Sequence, residues 1–237
     1  MKDNKLVHIK TIIPDIILDI RYATTNNFLN KKLYSKPICL LRYGVAKKLL
    51  KVQQQLKKQG LGLKIYDGYR PLSVTKIMYN LSENKLLVAP PTGSNHNRGA
   101  AVDITLVKIE NGEELLMPSY FDFYNPIKNT YIDYEPILKK NILSKIIMTR
   151  KKRYLPIPLS FITLYNNLNQ SKYSYNNCNY SLCNNCDSNK SVNIEAKKNS
   201  SLLKSIMIKN GFTPLTYEWW HFDSNDCYNY PILDIPI

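Results

Sequence analysis

Apolar residues recur at helical spacing in three segments of the chain, and each segment is predicted to form an amphipathic helix. The first helix runs from Tyr43 to Gln59 and is followed by Gly60, a residue well suited to the end of a helix. The second begins after Pro71, and the third spans about Ser201 to Lys209. Their apolar faces consist of Val45, Leu49, Val52 and Leu56, of Val74, Ile77, Met78 and Leu81, and of Leu202, Leu203 and Ile206.

Three other segments have the alternating or continuously apolar pattern of β-strands. The predicted strands cover Leu61 to Tyr66, Ala100 to Val107 and Glu218 to Asp223. Helices and strands occur in mixed order without a regular βαβ repeat, which favours an α+β fold. The sequence therefore predicts a single domain over residues 1–237, with a central antiparallel sheet flanked by helices.

Residues from about 137 to 198 depart from this pattern. A basic run from Arg150 to Arg153 is followed by a stretch rich in Asn, Ser and Tyr. Such polar, low-complexity sequence buries little apolar surface, so we predict a surface insertion here. Its cysteines, Cys178, Cys183 and Cys186, are close enough for a second metal site, but the insertion supplies no fourth ligand nearby, and an ordinary loop is favoured.

Composition narrows the class of protein further. The formal net charge is +15, but Lys and Arg are scattered along the chain, which argues against nucleic-acid binding as the main function. No segment approaches the roughly 20 apolar residues of a membrane span, and no signal-peptide pattern precedes the first predicted elements. Five unevenly spaced cysteines do not suit a secreted disulfide framework. A cytoplasmic location is the expectation.

The scarcity of histidine focuses the search for chemistry, since only three are present. His96 precedes Asp103 by seven residues, and His221 follows Glu218 by three. Two His and one Asp leave the fourth position of a tetrahedral zinc site open for water, and the remaining Glu is a candidate base. Spacing alone leaves this open, because residues i and i+3 of a regular strand face opposite sides. Glu218 and His221 can converge only if the strand ends, twists or bulges.

Five ordered blocks resemble the zinc D-alanyl-D-alanine dipeptidases, which are relatives of the D,D-carboxypeptidases. The blocks are Tyr22-Ala-Thr-Thr-Asn-Asn-Phe28, Asp67-Gly-Tyr-Arg-Pro71, Ser94-Asn-His-Asn-Arg-Gly99 through Asp103, Met117-Pro118 with Phe121-Asp122, and Gly211-Phe212 followed by Glu218-Trp-Trp-His-Phe222. The blocks that carry His96 and His221 are shared with the carboxypeptidases, whereas the first two favour the dipeptidases. The resemblance runs in order and nearly from end to end.

The resemblance implies a role for each of five residues. His96, Asp103 and His221 would bind one zinc ion per chain, and Glu218 would serve as the catalytic base. Arg70 would stabilise the oxyanion that develops during hydrolysis, a role that suits a planar and permanently charged guanidinium.

Residues that bind the substrate are implied as well. Tyr22 and Asp122 match positions associated with the ammonium end of a dipeptide, and Ser94 is a candidate contact. Asp67 is expected to orient Arg70 or to shape its turn. A closed pocket that recognises both charged ends would prefer free dipeptides to longer chains.

The expected reaction is hydrolysis of D-Ala-D-Ala to two D-alanines, in the turnover or recycling of peptidoglycan precursors. Three alternatives stay open: a related zinc D,D- or L,D-peptidase that acts on cell-wall stem peptides, an inactive relative that keeps only the fold, and a basic, non-catalytic nucleic-acid-binding protein. The complete candidate ligand set argues against the second alternative, and the lack of an export signal argues against the first. The sequence does not indicate the oligomeric state.

Overall fold

The computed structural model describes residues 2–122, apart from 84, 86 and 87, and residues 187–237, apart from 217. The strands in this part of the chain are β1 (Leu6–His8), β2 (Ile17–Leu18), β3 (Leu40–Arg42), β4 (Leu61–Asp67), β5 (Ala101–Lys108), β6 (Phe212–Leu215) and β7 (Glu218–Ser224). The α-helices are α1 (Tyr43–Lys57), α2 (Leu72–Leu81) and α3 (Asp187–Lys209). Residues 137–186, which make up most of the predicted insertion, lie outside the described residues. Its three cysteines are among them.

A five-stranded sheet with the order β2-β4-β5-β7-β6 forms the centre of the fold. The pairs β4–β5, β5–β7 and β6–β7 are antiparallel, which confirms the predicted α+β class. The edge pair β2–β4 is parallel, however, so the sheet is not antiparallel throughout. The reason is that β3 and α1 lie between these two strands in the chain and provide the long crossover that a parallel pair needs.

The apolar face of α1 supplies a large part of the core. Its repeating positions Val45, Leu49, Val52 and Leu56 are all completely buried. The helix ends at Lys57, two residues before the predicted end, and Gly60 follows with a left-handed φ of 72°. The predicted helix is therefore confirmed, and burial of one apolar stripe is what holds it on the sheet.

The other two helices differ from the predictions in detail. Val74 and Met78 of α2 are buried, but Ile77 and Leu81 on the same predicted face are exposed. The helix α3 begins at Asp187, so residues 187–198 are helical although the sequence placed them in the insertion. Its first turns are polar, and the apolar repeat that marks a helix in a sequence is confined to its last turns.

Candidate metal centre and active site

A row of polar side chains crosses three adjacent strands of the sheet. Asp103 on β5 lies opposite His221 on β7 and opposite Asp67 on β4. The register of β4 shifts between Ile65 and Asp67, so that Tyr66 is an extra residue and Asp67 comes into line with Asp103. Opposed residues of an antiparallel pair point to the same face, so the three strands present these side chains together.

The fourth member of the centre, His96, comes from the loop before β5. His96 opens a short 3-10 turn, His96–Arg98, that ends at Gly99 with a left-handed φ of 67°. A Cβ atom at Gly99 would lie only 2.7 Å from the side chain of Leu6. Glycine at this position therefore lets the loop turn sharply into β5 and brings His96 beside Asp103.

The donor atoms of His96, Asp103 and His221 form a small triangle, called here the ligand triangle. His96 Nε2 lies 3.2 Å from His221 Nδ1 and 3.4 Å from Asp103 Oδ1, and His221 Nδ1 lies 3.0 Å from Asp103 Oδ1. A tetrahedral zinc ion with bonds of about 2.0–2.2 Å holds its ligands about 3.3 Å apart. The triangle therefore fits zinc, and in the described part of the chain no other cluster of His, Cys, Asp and Glu could hold a metal.

Each imidazole of the triangle is oriented by a partner on its outer side. Nδ1 of His96 lies 2.7 Å from the carbonyl oxygen of Gly68, and Nε2 of His221 lies 3.0 Å from Asp223 Oδ1. An N–H donated to these oxygens leaves a lone pair on the nitrogen that faces the triangle. Burial lowers the pKa of His221, but hydrogen bonds to Asp103 and Asp223 raise it well above its usual value. No motif block includes Asp223, although its i+2 spacing from His221 on one strand predicts that the two side chains share a face.

Glu218 lies beside the ligand triangle rather than in it. Its Oε2 is 3.8 Å from His221 Nδ1, and its side chain is 25% exposed to solvent. The register of the β6–β7 pair shifts, so that Leu215 faces Glu218 while Pro214 faces Phe222. This irregularity is the strand distortion that Glu218 and His221 need in order to converge. Burial raises the pKa of Glu218, which moves the carboxyl towards the range of a general base.

Arg70 lies on the loop after β4 and is held by the buried carboxylate of Asp67, the last residue of that strand. Its Nε and Nη2 donate to Asp67 Oδ2 over 3.0 and 2.7 Å. Asp67 Oδ1 accepts two further hydrogen bonds, from the Tyr34 hydroxyl at 2.8 Å and from the Gly68 N–H at 2.9 Å. The structure thus brings Asp67 and Arg70 together as expected, and it adds Tyr34, which no sequence motif indicated.

Tyr22 and Asp122 meet at the other end of the site. The Tyr22 hydroxyl lies 3.3 and 3.2 Å from the two carboxylate oxygens of Asp122, and the Arg70 guanidinium lies 5.0 Å from the centre of the Tyr22 ring. Burial raises the pKa of Asp122, and the negative charges of Asp103 and Glu218 raise it further. A bound cation would relieve this concentration of negative charge.

Ser94 serves the loop that carries His96. Its N–H and its hydroxyl donate to Asn97 Oδ1 over 2.6 and 3.3 Å, and the Asn97 amide in turn donates to the Arg70 carbonyl. Ser94 also lines a cleft of about 320 Å³, together with Thr92, Gly93, Asn95, Arg98, Tyr228 and Ile232. Ser94 thus supports the loop that carries His96, and the cleft that it lines includes none of the three residues of the ligand triangle.

Two imidazoles and a carboxylate with ligand atoms at zinc-binding distances, and a further carboxylate beside them, are typical of a metal-dependent hydrolase. More specifically, the chain belongs to the peptidase family described as D-ala-D-ala dipeptidase, whose sequence profile matches residues 2–133 and 184–236. This family is zinc-dependent. The resemblance read from the five sequence blocks is thereby confirmed.

Individual relatives carry the same description. The chain is 27% identical to the D-alanyl-D-alanine dipeptidase of Escherichia coli K12 over 230 residues, which cover 97% of this chain and 89% of the relative. It is 32% identical to the D-alanyl-D-alanine dipeptidase of Enterococcus faecium over 133 residues, or 47% of this chain and 66% of the relative. Among the described residues, no helix has the length and apolar character needed to cross a membrane.

Proposed function

We propose that this protein hydrolyses the dipeptide D-Ala-D-Ala to two D-alanines, with one zinc ion per chain, in the turnover or recycling of peptidoglycan precursors. The observation that carries the proposal is the ligand triangle of His96, Asp103 and His221, with the Glu218 carboxylate 3.8 Å from His221. Support for the substrate comes from the relatives, which are named D-alanyl-D-alanine dipeptidases.

The side chains around the triangle have complementary tasks in this reaction. His96, Asp103 and His221 would hold the zinc ion, which as a Lewis acid would polarise the peptide carbonyl and increase the acidity of water. Glu218 takes a proton from the attacking water and passes it to the departing amine. Its place outside the triangle, with a raised pKa, supports the role of base over that of ligand.

Arg70 stabilises the negative charge that develops on the carbonyl oxygen. Oriented donors in a site shielded from water are effective in this role because they need not reorganise as the charge forms. The hydrogen bonds from Arg70 to Asp67 fix the guanidinium before the substrate binds. Burial would lower the pKa of Arg70, but Asp67 and the neighbouring Tyr22 raise it above its usual value, so the side chain keeps its charge.

The substrate is a zwitterion, and the loop end of the site supplies a counter-charge for its ammonium group. Asp122, hydrogen-bonded to Tyr22, is the proposed partner of that ammonium. Ser94 is the further proposed contact with the dipeptide. A longer or N-acetylated substrate lacks the free ammonium at this place and would leave Asp122 without a cation.

Metal analysis combined with a D-Ala-D-Ala hydrolysis assay tests the proposal. We expect about one zinc per chain, loss of activity with a chelator and recovery when zinc is returned. Purified protein that is active without a bound transition metal would contradict it. A zinc-loaded protein that cleaves a pentapeptide stem as well as the free dipeptide would favour the cell-wall peptidase instead.

A further inference from the structure

We infer that Asp223 is a positioning residue that holds the ring of His221 in the orientation for metal binding and thereby sets the zinc affinity. The inference rests on the zinc ligands proposed above. It adds a residue to them, since Asp223 directly follows the last of the five sequence blocks and is not part of it.

The geometry follows from the position of both residues on β7. His221 and Asp223 are two residues apart, so their side chains lie on the same face of the strand. Nε2 of His221 lies 3.0 Å from Asp223 Oδ1, while Nδ1 faces Asp103 in the ligand triangle at 3.0 Å. A neutral imidazole has one N–H, and donating it to Asp223 leaves the lone pair on Nδ1 for the metal.

The two histidines of the triangle differ in what orients them. The outer nitrogen of His96 contacts the carbonyl of Gly68, a main-chain group that no side-chain substitution removes. The outer nitrogen of His221 depends on a side chain, and this side chain is a carboxylate. A carboxylate partner fixes the tautomer of the ring and also increases the basicity of the nitrogen that binds the metal.

Asp223 is itself held in place, which makes it an effective positioning group. The backbone of Asp223 lies between Ala101 on β5 and Thr213 on β6, and the N–H of the next residue, Ser224, donates to the carbonyl of Ala100. The sheet therefore fixes Asp223 beside the start of β5, which follows the loop that carries His96. The Asp223 side chain is 26% exposed, so its replacement leaves no large cavity in the core.

The test is the zinc dissociation constant of the metal-free protein, measured by competition with a chromophoric chelator. Asp223→Ala should weaken zinc binding by about 10–100-fold, since the ring of His221 loses its partner. Asp223→Asn should lose less zinc affinity than Asp223→Ala, because the amide oxygen of Asn can still accept the N–H of His221. Asp226→Ala is the matched control. Asp226 lies two residues beyond the end of β7 and pairs with Lys48 at 2.7 Å, so the zinc affinity of this variant should equal that of the parent.

Two further measurements separate positioning from other roles. With saturating zinc, Asp223→Ala should recover most of the parental kcat, and the visible absorption of its cobalt-substituted form should differ from that of the parent. Unchanged zinc affinity in Asp223→Ala, or low kcat despite full zinc loading, would overturn the inference. If the alanine variant does not fold, Asp223→Asn should still bind zinc more weakly than the parent, because a neutral amide does not raise the basicity of the ring nitrogen as a carboxylate does, and unchanged zinc affinity in this variant would overturn the inference. Failure of the parent to bind zinc would instead refute the proposed function.

Discussion

The proposed metal end of the site is built mainly on paired strands, with His96 added from the loop before β5, whereas the proposed substrate end is built on loops alone. Asp103 and His221 face each other across β5 and β7, and two strand pairs in this sheet have irregular registers that align the polar row. Tyr22 lies on a short 3-10 turn, and Asp122 lies on a loop with a left-handed φ of 60°. Rigid elements suit groups whose spacing determines metal binding, and loops suit groups that select a substrate. Changes at the metal end should therefore abolish function, and changes at the substrate end should alter it by degrees.

The largest effect is expected for His221→Ala. This change removes a corner of the ligand triangle, and two remaining ligands hold zinc poorly, so zinc and activity should be lost together. Metal analysis and the dipeptide assay measure both. The control is His8→Ala, because His8 is the one histidine outside the centre and caps a short turn by accepting from Lys10 N–H. A His221→Ala protein that retains a full zinc would show that the sheet does not build the metal end.

Glu218→Ala should separate metal binding from chemistry at this same end. Because Glu218 lies outside the triangle, the variant should keep its zinc, yet its kcat should fall by about 10²–10⁴-fold with the loss of the base. Glu113→Ala, which changes an exposed acid paired with Lys108, serves as the control and should leave kcat unchanged. Loss of zinc from Glu218→Ala would reassign this residue as a ligand.

Arg70→Lys should have the next largest effect, a loss of about 10²-fold in kcat with zinc retained, because an ammonium cannot reproduce the two donors of a planar guanidinium. Tyr34→Phe removes one hydrogen bond from Asp67 and should cause a smaller loss of the same kind. In the Arg70→Lys background, Tyr34→Phe should add little, since both changes act on one arrangement. Fully additive losses in this double-mutant cycle would show that Tyr34 does not act through Arg70.

The substrate end should respond by degrees to Asp122→Asn. The parent should cleave free D-Ala-D-Ala far better than its N-acetylated form, because acetylation removes the ammonium that Asp122 is proposed to pair. The ratio of the two kcat/KM values should shrink in Asp122→Asn, while the zinc content stays constant. Comparable rates of the parent on both substrates would favour the carboxypeptidase alternative.

The smallest effect is expected in the predicted insertion. The family match is interrupted between residues 133 and 184, and the helix α3 begins at Asp187. A Gly-Ser linker in place of residues 137–183 should leave folding, zinc content and hydrolysis within a few-fold, since halving a loop changes its closure free energy by only about 0.6 kcal/mol. Replacing Cys178, Cys183 and Cys186 with Ser should leave zinc content and thermal midpoint unchanged. Loss of one zinc with a lower midpoint would show a second metal site.

The local pattern of the sequence was sufficient for the elements with a continuous apolar repeat. The helix α1 and the strands β4, β5 and β7 lie within a few residues of their predicted positions. The motif blocks likewise indicate His96, Asp103, His221 and Glu218 without any geometry, because residue type and order are properties of the chain itself. The predicted family followed from those blocks.

The tertiary structure decided what depends on contacts between distant segments. The parallel edge pair β2–β4 and the irregular registers that bring Asp67 opposite Asp103 arise from strand pairing, which a local repeat does not encode. The hydrogen bonds of Tyr34 to Asp67 and of His221 to Asp223 likewise depend on the tertiary structure, which brings each donor within reach of its acceptor. Periodicity reports which side of an element is apolar, whereas the position of a donor atom relative to its acceptor is set by the packing of the whole fold.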